Sequence, residues 1–356
     1  MLTTGKRFDW TMAAPAIALV IAIALKGSTS MTAALLLSAA LLAGVLAAVH
    51  HAEVIALRVG EPFGAVILAL AVTVIELGLI VSIMLGAKPE PTLVRDTMHA
   101  VVVLVLHGLA GLCIVVGAIK HREQEFHTQG AQAYLTVLLP MVSITLILPN
   151  YTVTSPGPYY STPQLAFVSI CCLLLWLAFT FVQTVRHRDY FTPAVAEVQE
   201  GPLPTTRDAL ISLGMLSVAL VAVVLLAKGV SPFIQSGVEA MGAPNTLVGV
   251  IVAAIVLMPE AATAIRAALA DRLQTSINLA LGSGVASIGL TVPTVALIAW
   301  WTDTPLELGV SPGSAALLGL SFLMAMITYG LGRASLLSGV VHLILLAMWL
   351  VFLVAP

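Results

Sequence analysis

Phe63-Gly64-Ala65-Val66-Ile67-Leu68-Ala69-Leu70-Ala71-Val72-Thr73-Val74-Ile75-Glu76 parallels Val248-Gly249-Val250-Ile251-Val252-Ala253-Ala254-Ile255-Val256-Leu257-Met258-Pro259-Glu260, the trace of an internal repeat. Each has a glycine in second place, continues in almost unbroken apolar residues and arrives at a glutamate eleven or twelve positions after that glycine. In a helix that is about 17 Å of rise, roughly half the thickness of a bilayer. A carboxylate at that depth costs about 2.5 kcal/mol or more to insert, so such residues mark functional sites by default.

The rest of the chain agrees with a bilayer setting. Sixty per cent of the 356 residues are hydrophobic and 9% are charged. Mean hydropathy is +1.07. A soluble domain carries roughly 25% charged residues, so the composition gives an all-α polytopic membrane protein. The formal net charge of −2 is too small to suggest nucleic acid as a partner. Cys113, Cys171 and Cys172 lie in apolar stretches without CxxC spacing, which supports neither a disulfide framework nor a zinc site. They read as core or lipid-facing filler.

Eleven stretches are long and apolar enough to span: 8–25, 31–49, 63–86, 97–119, 132–149, 164–185, 208–227, 246–268, 275–300, 313–330 and 335–354. No cleavage site follows the first, so it is expected to be retained. Lys6, Arg7, Arg58, Lys120, Arg122, Arg186, Arg188, Arg207, Arg266, Arg272 and Arg333 fall on one side, and Lys26, Lys88, Arg95 and Lys228 on the other. Short cytoplasmic loops collect basic residues, so the N-terminus is expected in the cytoplasm and the C-terminus outside.

The polar stretch 186–207, with Pro193, Pro202 and Pro204, reads as a cytoplasmic linker. It separates a first five-span half, 31–185, from a second, 208–356, with residues 1–30 holding one extra N-terminal helix. An odd-numbered unit re-enters the membrane from the opposite face, so a repeat of five spans has to be inverted, a common plan in secondary transporters.

Around the two acids, Thr73 and Thr263 lie three residues away, on nearly the same helical face, as candidate oxygen ligands or as hydroxyls bonded back to their own helices. Pro259 frees a carbonyl, so the backbone there is expected to depart from plain helix. The span after Glu260 carries Asn278, Gly282, Ser283, Gly284, Ser287, Thr291 and Pro293. Ser283 and Ser287 are candidate ion ligands, and the glycines allow close helix packing. His107, in the span after Glu76, is a candidate proton relay, whereas His342 in the last span is set below it. His50 and Glu53, on one side of a helix end, and Glu61 at the start of the third span are candidates to shape a cytoplasmic entrance. The span-end acids Asp96, Asp208 and Asp271 read as helix caps or charge balance.

The run His50-His51-Ala52-Glu53-Val54-Ile55-Ala56-Leu57-Arg58-Val59-Gly60-Glu61-Pro62-Phe63-Gly64, leading into Thr73-Val74-Ile75-Glu76, resembles the first α-repeat of ChaA-type cation/proton antiporters. Met258-Pro259-Glu260, Asn278 to Ser283, Leu290 to Pro293 and Gly330-Leu331-Gly332-Arg333 are similar to later parts of that family. The resemblance implies the cation/Ca²⁺ exchanger superfamily, with inverted five-helix units and one acidic ion ligand from each repeat, and a bacterial inner membrane. It departs from the wider Ca²⁺/H⁺ exchanger pattern, whose Gly-Asn-Ala-(Thr/Ala)-Glu runs are replaced here by Val72 to Glu76 and Val256 to Glu260, and Ala286 stands where a glutamine is common.

The expected activity is secondary exchange of Ca²⁺ for H⁺, with Na⁺ or K⁺ as alternative cations at the same site. Burial disfavours an ionised carboxyl, and a second carboxylate disfavours it further. Without a cation, Glu76 and Glu260 are therefore expected to hold protons, and a cation to displace them. The partners are inorganic cations, protons and the lipid bilayer, no cofactor is expected, and the sequence sets no oligomeric state. A channel is the other transport reading, although matched acids in inverted repeats favour exchange. No HExxH, aspartate pair or P-loop supports an intramembrane hydrolase or an ATP-driven pump.

Overall fold

A computed structural model describes residues 9–60, 63–84, 91–191 and 203–355. Among them the regular structure is helical, apart from one short strand pair. Helix α1 covers Trp10–Ala24, α2 Met31–Val59 and α3 Phe63–Met84. One span is built from α4 (Leu93–Val103), a π-helical turn at Leu104–Leu109 and α5 (Ala110–His121). The next is α6 (Thr128–Val142), which ends in a π-turn at Ser143–Ile147 and a 3-10 turn at Leu148–Tyr151. Then come α7 (Thr162–Phe181, with a π-turn at Val182–Arg186), α8 (Thr206–Ala240), α9 (Thr246–Leu269), α10 (Leu273–Thr302), α11 (Pro312–Gly330) and α12 (Leu336–Val354). Nine of these spans are long and apolar enough to cross a bilayer, and two further apolar helices, Trp10–Ala24 and Ile67–Ser82, are shorter. Each of the eleven expected spans falls on one of them.

The departures from the sequence reading have local causes. Helix α2 runs ten residues past position 49, because its continuation still buries His51 and Ala52, and it stops where Gly60 takes φ +76°. Only glycine adopts that angle without strain. Helix α8 continues to Ala240, past the expected end at 227. Helix α9 passes through Pro259 as continuous α-helix, so the expected break beside Glu260 is absent. A proline there withholds one N–H from the Ile255 carbonyl while the turns on either side keep the helix going. The stretch read as a linker begins in ordered structure. Arg188–Tyr190 forms a 3-10 turn, and the Phe191 ring lies 5.5 Å from Tyr134 and 5.8 Å from Phe179. Residues 192–202 and Glu61 lie outside the described residues.

Packing divides the chain into two compact units. One holds α1, α2, α3 and α8 as far as Ile234, and the other holds the remaining helices. In the first, α2 packs between α1 and α3. Buried His51 ties α2 to its neighbours: Nε2 lies 3.0 Å from the Thr11 carbonyl and Nδ1 3.2 Å from Ser212 Oγ. A carbonyl only accepts, so Nε2 carries the proton and Nδ1 of the neutral ring accepts from Ser212. His51→Ala removes both bonds and is expected to cost about 2 kcal/mol, read as a lower thermal unfolding midpoint of the purified protein. Asp208 is a cap as expected: its carboxylate accepts from Thr205, whose Oγ accepts from the Asp208 amide.

In the second unit, α12 packs along α5 and α7 along α10. The inverted repeat exchanges these two pairings, since it matches the fourth span with the ninth and the sixth with the eleventh. Both contacts close on a glycine. A β-carbon at Gly111 would lie 2.9 Å from His342 Cβ, and one at Gly289 would lie 2.6 Å from Trp176 Cβ. The strands β1 (Glu123–Glu125) and β2 (Arg333–Ser335) pair antiparallel and link the end of α5 to the start of α12. At the same end the last carbonyls of α9 are satisfied: Lys120 Nζ and His121 Nε2 donate to Leu269, and Gln124 Nε2 donates to Ala268 and to the Asp271 carboxylate. At the opposite end Arg95 pairs with Asp96 and Glu307, Asn150 Nδ2 donates to the Val310 carbonyl, and Tyr159 OH donates to Glu307.

Candidate functional site

The first unit carries Thr73, Glu76, His50 and Glu53. Glu76 is 1% exposed, in the middle of α3. Thr73 is buried and donates its hydroxyl to the Ala69 carbonyl at 2.9 Å. That is the back-bonded arrangement, and its oxygen lone pairs remain available to accept or to coordinate. Six residues beyond the glutamate, Ser82 Oγ lies 2.5 Å from the Gly78 carbonyl and 3.2 Å from the Val224 carbonyl, which seats α3 on α8. His50 sits at the rim of a cavity of about 240 Å³ lined by Asp9, Met12, His50, His51, Val54, Asp208, Ile211 and Ser212. Asp9 caps α1 there by accepting from the Thr11 amide and hydroxyl, which hold its carboxyl below the usual carboxylate range.

The second unit carries Glu260, Thr263, Ser283, Ser287 and His107. Glu260 is partly exposed, with its Oε2 buried. Thr263 accepts from the Arg266 guanidinium at 3.2 Å, so one of its lone pairs is engaged by a positive group. Ser287 is buried and Ser283 half-buried. Asn278 serves the framework: it donates to the Phe191 carbonyl at 2.5 Å and accepts from Gln274. Gly284 lies on the π-turn side of α10, where its β-carbon would be 3.5 Å from Val105 Cγ1. This places the Ser283 to Ser287 turn beside the π-turn that carries His107.

Depth along the helices follows from fixed points. Helices α4 and α9 run parallel: Gly249 abuts the backbone of Asp96 and Thr97, where a β-carbon would be 2.8 Å away, and at the far end Lys120 reaches Leu269. From Thr97 to His107 is ten residues and from Gly249 to Glu260 eleven, roughly 15–17 Å of helix in either case. Glu260 and His107 are therefore level. Ser276 Oγ donates to the Ala264 carbonyl at 2.7 Å, which sets antiparallel α10 so that the residues about 280–284 share that level.

Two features were not read from the sequence. The π-turn at Leu104–Leu109 sits at the depth of the acid, and π-turns within helices gather at functional sites. His342, set below His107, meets it directly, with Nδ1 to Nδ1 at 2.7 Å. Thr291, already named on α10, is buried too, and its hydroxyl oxygen has no hydrogen-bond partner.

Comparison with known proteins finds relatives over most of the chain. Residues 29–185 and 211–355 match the family described as sodium/calcium exchanger protein. The chain is 44% identical to the y4hA protein of Sinorhizobium fredii over 332 residues, covering 90% of this chain and 89% of that one. It is 30% identical to the sodium-potassium/proton antiporter ChaA of Escherichia coli over 350 residues, covering 96% and 95%. Among solved structures, the Ca²⁺/H⁺ antiporter protein YfkE superposes with a TM-score of 0.73 at 16% identity, over 98% of this chain and 100% of the other. The H⁺/Ca²⁺ exchanger CAX gives 0.73 at 15% identity, over 96% and 88%. These two likenesses carry the fold, an all-α membrane architecture. With the matched glutamates on α3 and α9 and a family match across both halves, the chain belongs to the sodium/calcium exchanger family, as a ChaA-type member of the cation/Ca²⁺ exchanger superfamily.

Proposed function

We propose that this chain is a secondary antiporter that exchanges Ca²⁺ for protons at Glu76 and Glu260. The observation that carries the reading is the position of two carboxyl groups at the middle of matched spanning helices, one 1% exposed and the other with a buried oxygen. Ca²⁺ takes six to eight oxygens at 2.3–2.6 Å, commonly from carboxylates, carbonyls, hydroxyls and water. Glu76, Thr73, Glu260, Ser283 and Ser287 supply such oxygens from this chain. Thr263 is the weakest of the set, because Arg266 already engages it.

Coupling comes from charge. A cation neutralises the ionised carboxylates and protons neutralise them in its absence, so both loaded forms avoid an uncompensated charge in the bilayer. The doubly ionised empty form is penalised, and each passage of the site across the membrane carries one cargo or the other. The membrane is a plasma membrane, with the N-terminus in the cytoplasm as the basic residues argue. Na⁺ or K⁺ exchange is the second reading, favoured by the 30% identity to a relative named as a sodium-potassium/proton antiporter and by the missing asparagine ligands.

The test is a liposome experiment with a pH dye sealed inside. External Ca²⁺ is expected to drive protons out and raise internal pH. A response to Na⁺ or K⁺ alone changes the cargo and keeps the mechanism, whereas folded protein that answers no cation contradicts exchange.

A further inference from the structure

Two of the buried imidazoles of the second unit, His107 and His342, form a built site that the carboxylate mechanism does not use. His107 is 1% exposed and His342 is fully buried. Their Nδ1 atoms are 2.7 Å apart, and His342 Nε2 lies 3.0 Å from Thr328 Oγ1. The remaining nitrogen, His107 Nε2, is buried without a hydrogen-bond partner. Three local choices make the contact. The π-turn at Leu104–Leu109 holds His107, Gly111 lets α12 approach where a β-carbon would stand 2.9 Å from His342 Cβ, and the Tyr329 ring stacks on His342 at 6.4 Å.

Hydrogen-bond chemistry then limits the proton count. Two Nδ1 atoms at this distance share one proton, because one must donate and the other accept. If His107 donates, His342 Nε2–H donates to Thr328 and His107 Nε2 is a bare lone pair. Adding a proton there forms one new N–H bond and breaks no existing hydrogen bond. The added charge spreads over both rings as the central proton moves toward His342. Loss of the same proton restores the starting arrangement, so the pair takes up and releases one proton reversibly.

The surroundings single out this pair. The π-turn packs on α9, α10, α11 and α12. Their titratable side chains are Glu260 and Arg266 on α9, Tyr329 on α11 and His342 on α12, with none on α10. Its own span adds Arg95, Asp96, His99, Cys113, Lys120 and His121. Of these, Glu260 is the acid level with His107. A positive pair at that depth offsets an ionised carboxylate after a cation has left.

We propose that the His107–His342 pair is a proton-holding site of the transport cycle, distinct from the glutamates, which takes and releases one proton at His107 Nε2. The proposal rests on the antiport reading and deepens it.

The test separates proton-coupled exchange from cation self-exchange, in which labelled and unlabelled cation trade places with no proton involved. His107→Gln, His342→Gln and the isosteric variant Thr328→Val, which removes the hydroxyl, are placed in liposomes beside the wild type, with ⁴⁵Ca²⁺, or ²²Na⁺ if Na⁺ is the ion the wild type moves. The histidine variants are expected to lose roughly 100-fold in proton-coupled rate, at the lower end of what a positioned proton-transfer group contributes. Self-exchange should stay within about twofold, and Thr328→Val should show a smaller loss of the same kind. Unchanged proton coupling in the histidine variants overturns the proposal, and so does a parallel fall of both modes, which marks a structural pair. A wild type that self-exchanges cations but moves no protons instead brings down the antiport reading itself.

Discussion

Glu260→Gln and Glu76→Gln are each expected to abolish cation-evoked proton movement, a loss of at least about 1000-fold, while the protein still folds. Glutamine keeps the shape and removes the charge. Leaving one carboxylate to meet a cation alone in a low-dielectric interior forfeits several kcal/mol of attraction, and every 1.4 kcal/mol is tenfold in affinity. Folding should survive because a neutral amide is easier to bury than a carboxylate. Glu→Asp at the same positions keeps the charge but withdraws it by one methylene, so partial activity with weaker cation affinity is expected. Size-exclusion profiles together with the liposome dye experiment check both pairs of variants. Full activity in either glutamine variant would remove that residue from the site.

Gly249→Val is expected to be strongly damaging although it replaces neither Glu76 nor Glu260. A β-carbon at this position would stand 2.8 Å from the Asp96 carbonyl carbon and the Thr97 nitrogen. These are backbone atoms, so the clash is relieved only if α9 moves off α4. Overpacking of this kind typically costs 1–3 kcal/mol. It also spoils the depth match between Glu260 and His107, because Gly249 is one of the points that sets it. We expect an unfolding midpoint lowered by several degrees and exchange reduced more than tenfold. Gly319→Val makes the contrast: α11 has open space there, and a change near zero is expected. Equal behaviour of the two variants would mean that the α4–α9 contact does not hold the site.

The parts of this molecule legible in the sequence are those written in local pattern. Apolar runs of sufficient length gave each span to within several residues except at the far ends of α2 and α8. There the helices run on past the apolar stretch, His50 to Val59 in one case and, through Pro232, Lys228 to Ala240 in the other. The glutamates stood out because charge is expensive at bilayer depth, and Gly249 was visible as the start of the repeat, although its contact with α4 was not. Long-range facts left no local trace. His107 and His342 are 235 residues apart, and nothing near either of them names the other. The π-turn beneath His107 has no residue signature in Leu104-Val105-Leu106-His107-Gly108-Leu109, since one extra residue per turn is a response to packing. His51 joins three helices, which its neighbours in the sequence do not reveal, because its partners Thr11 and Ser212 come from distant spans.

Competition between cation and protons for the same two carboxylates is the central claim, and cation affinity as a function of pH tests it without any need for transport. In detergent-solubilised protein, each proton that must leave before a cation binds weakens the apparent affinity about tenfold per pH unit over the range where the site is protonated. Displacement from both Glu76 and Glu260 therefore gives a Ca²⁺ dissociation constant that rises about 100-fold per unit as pH falls, with nearly two protons released per ion bound. An affinity that is flat across pH 5–9, with no proton release, would contradict competition at the carboxylates.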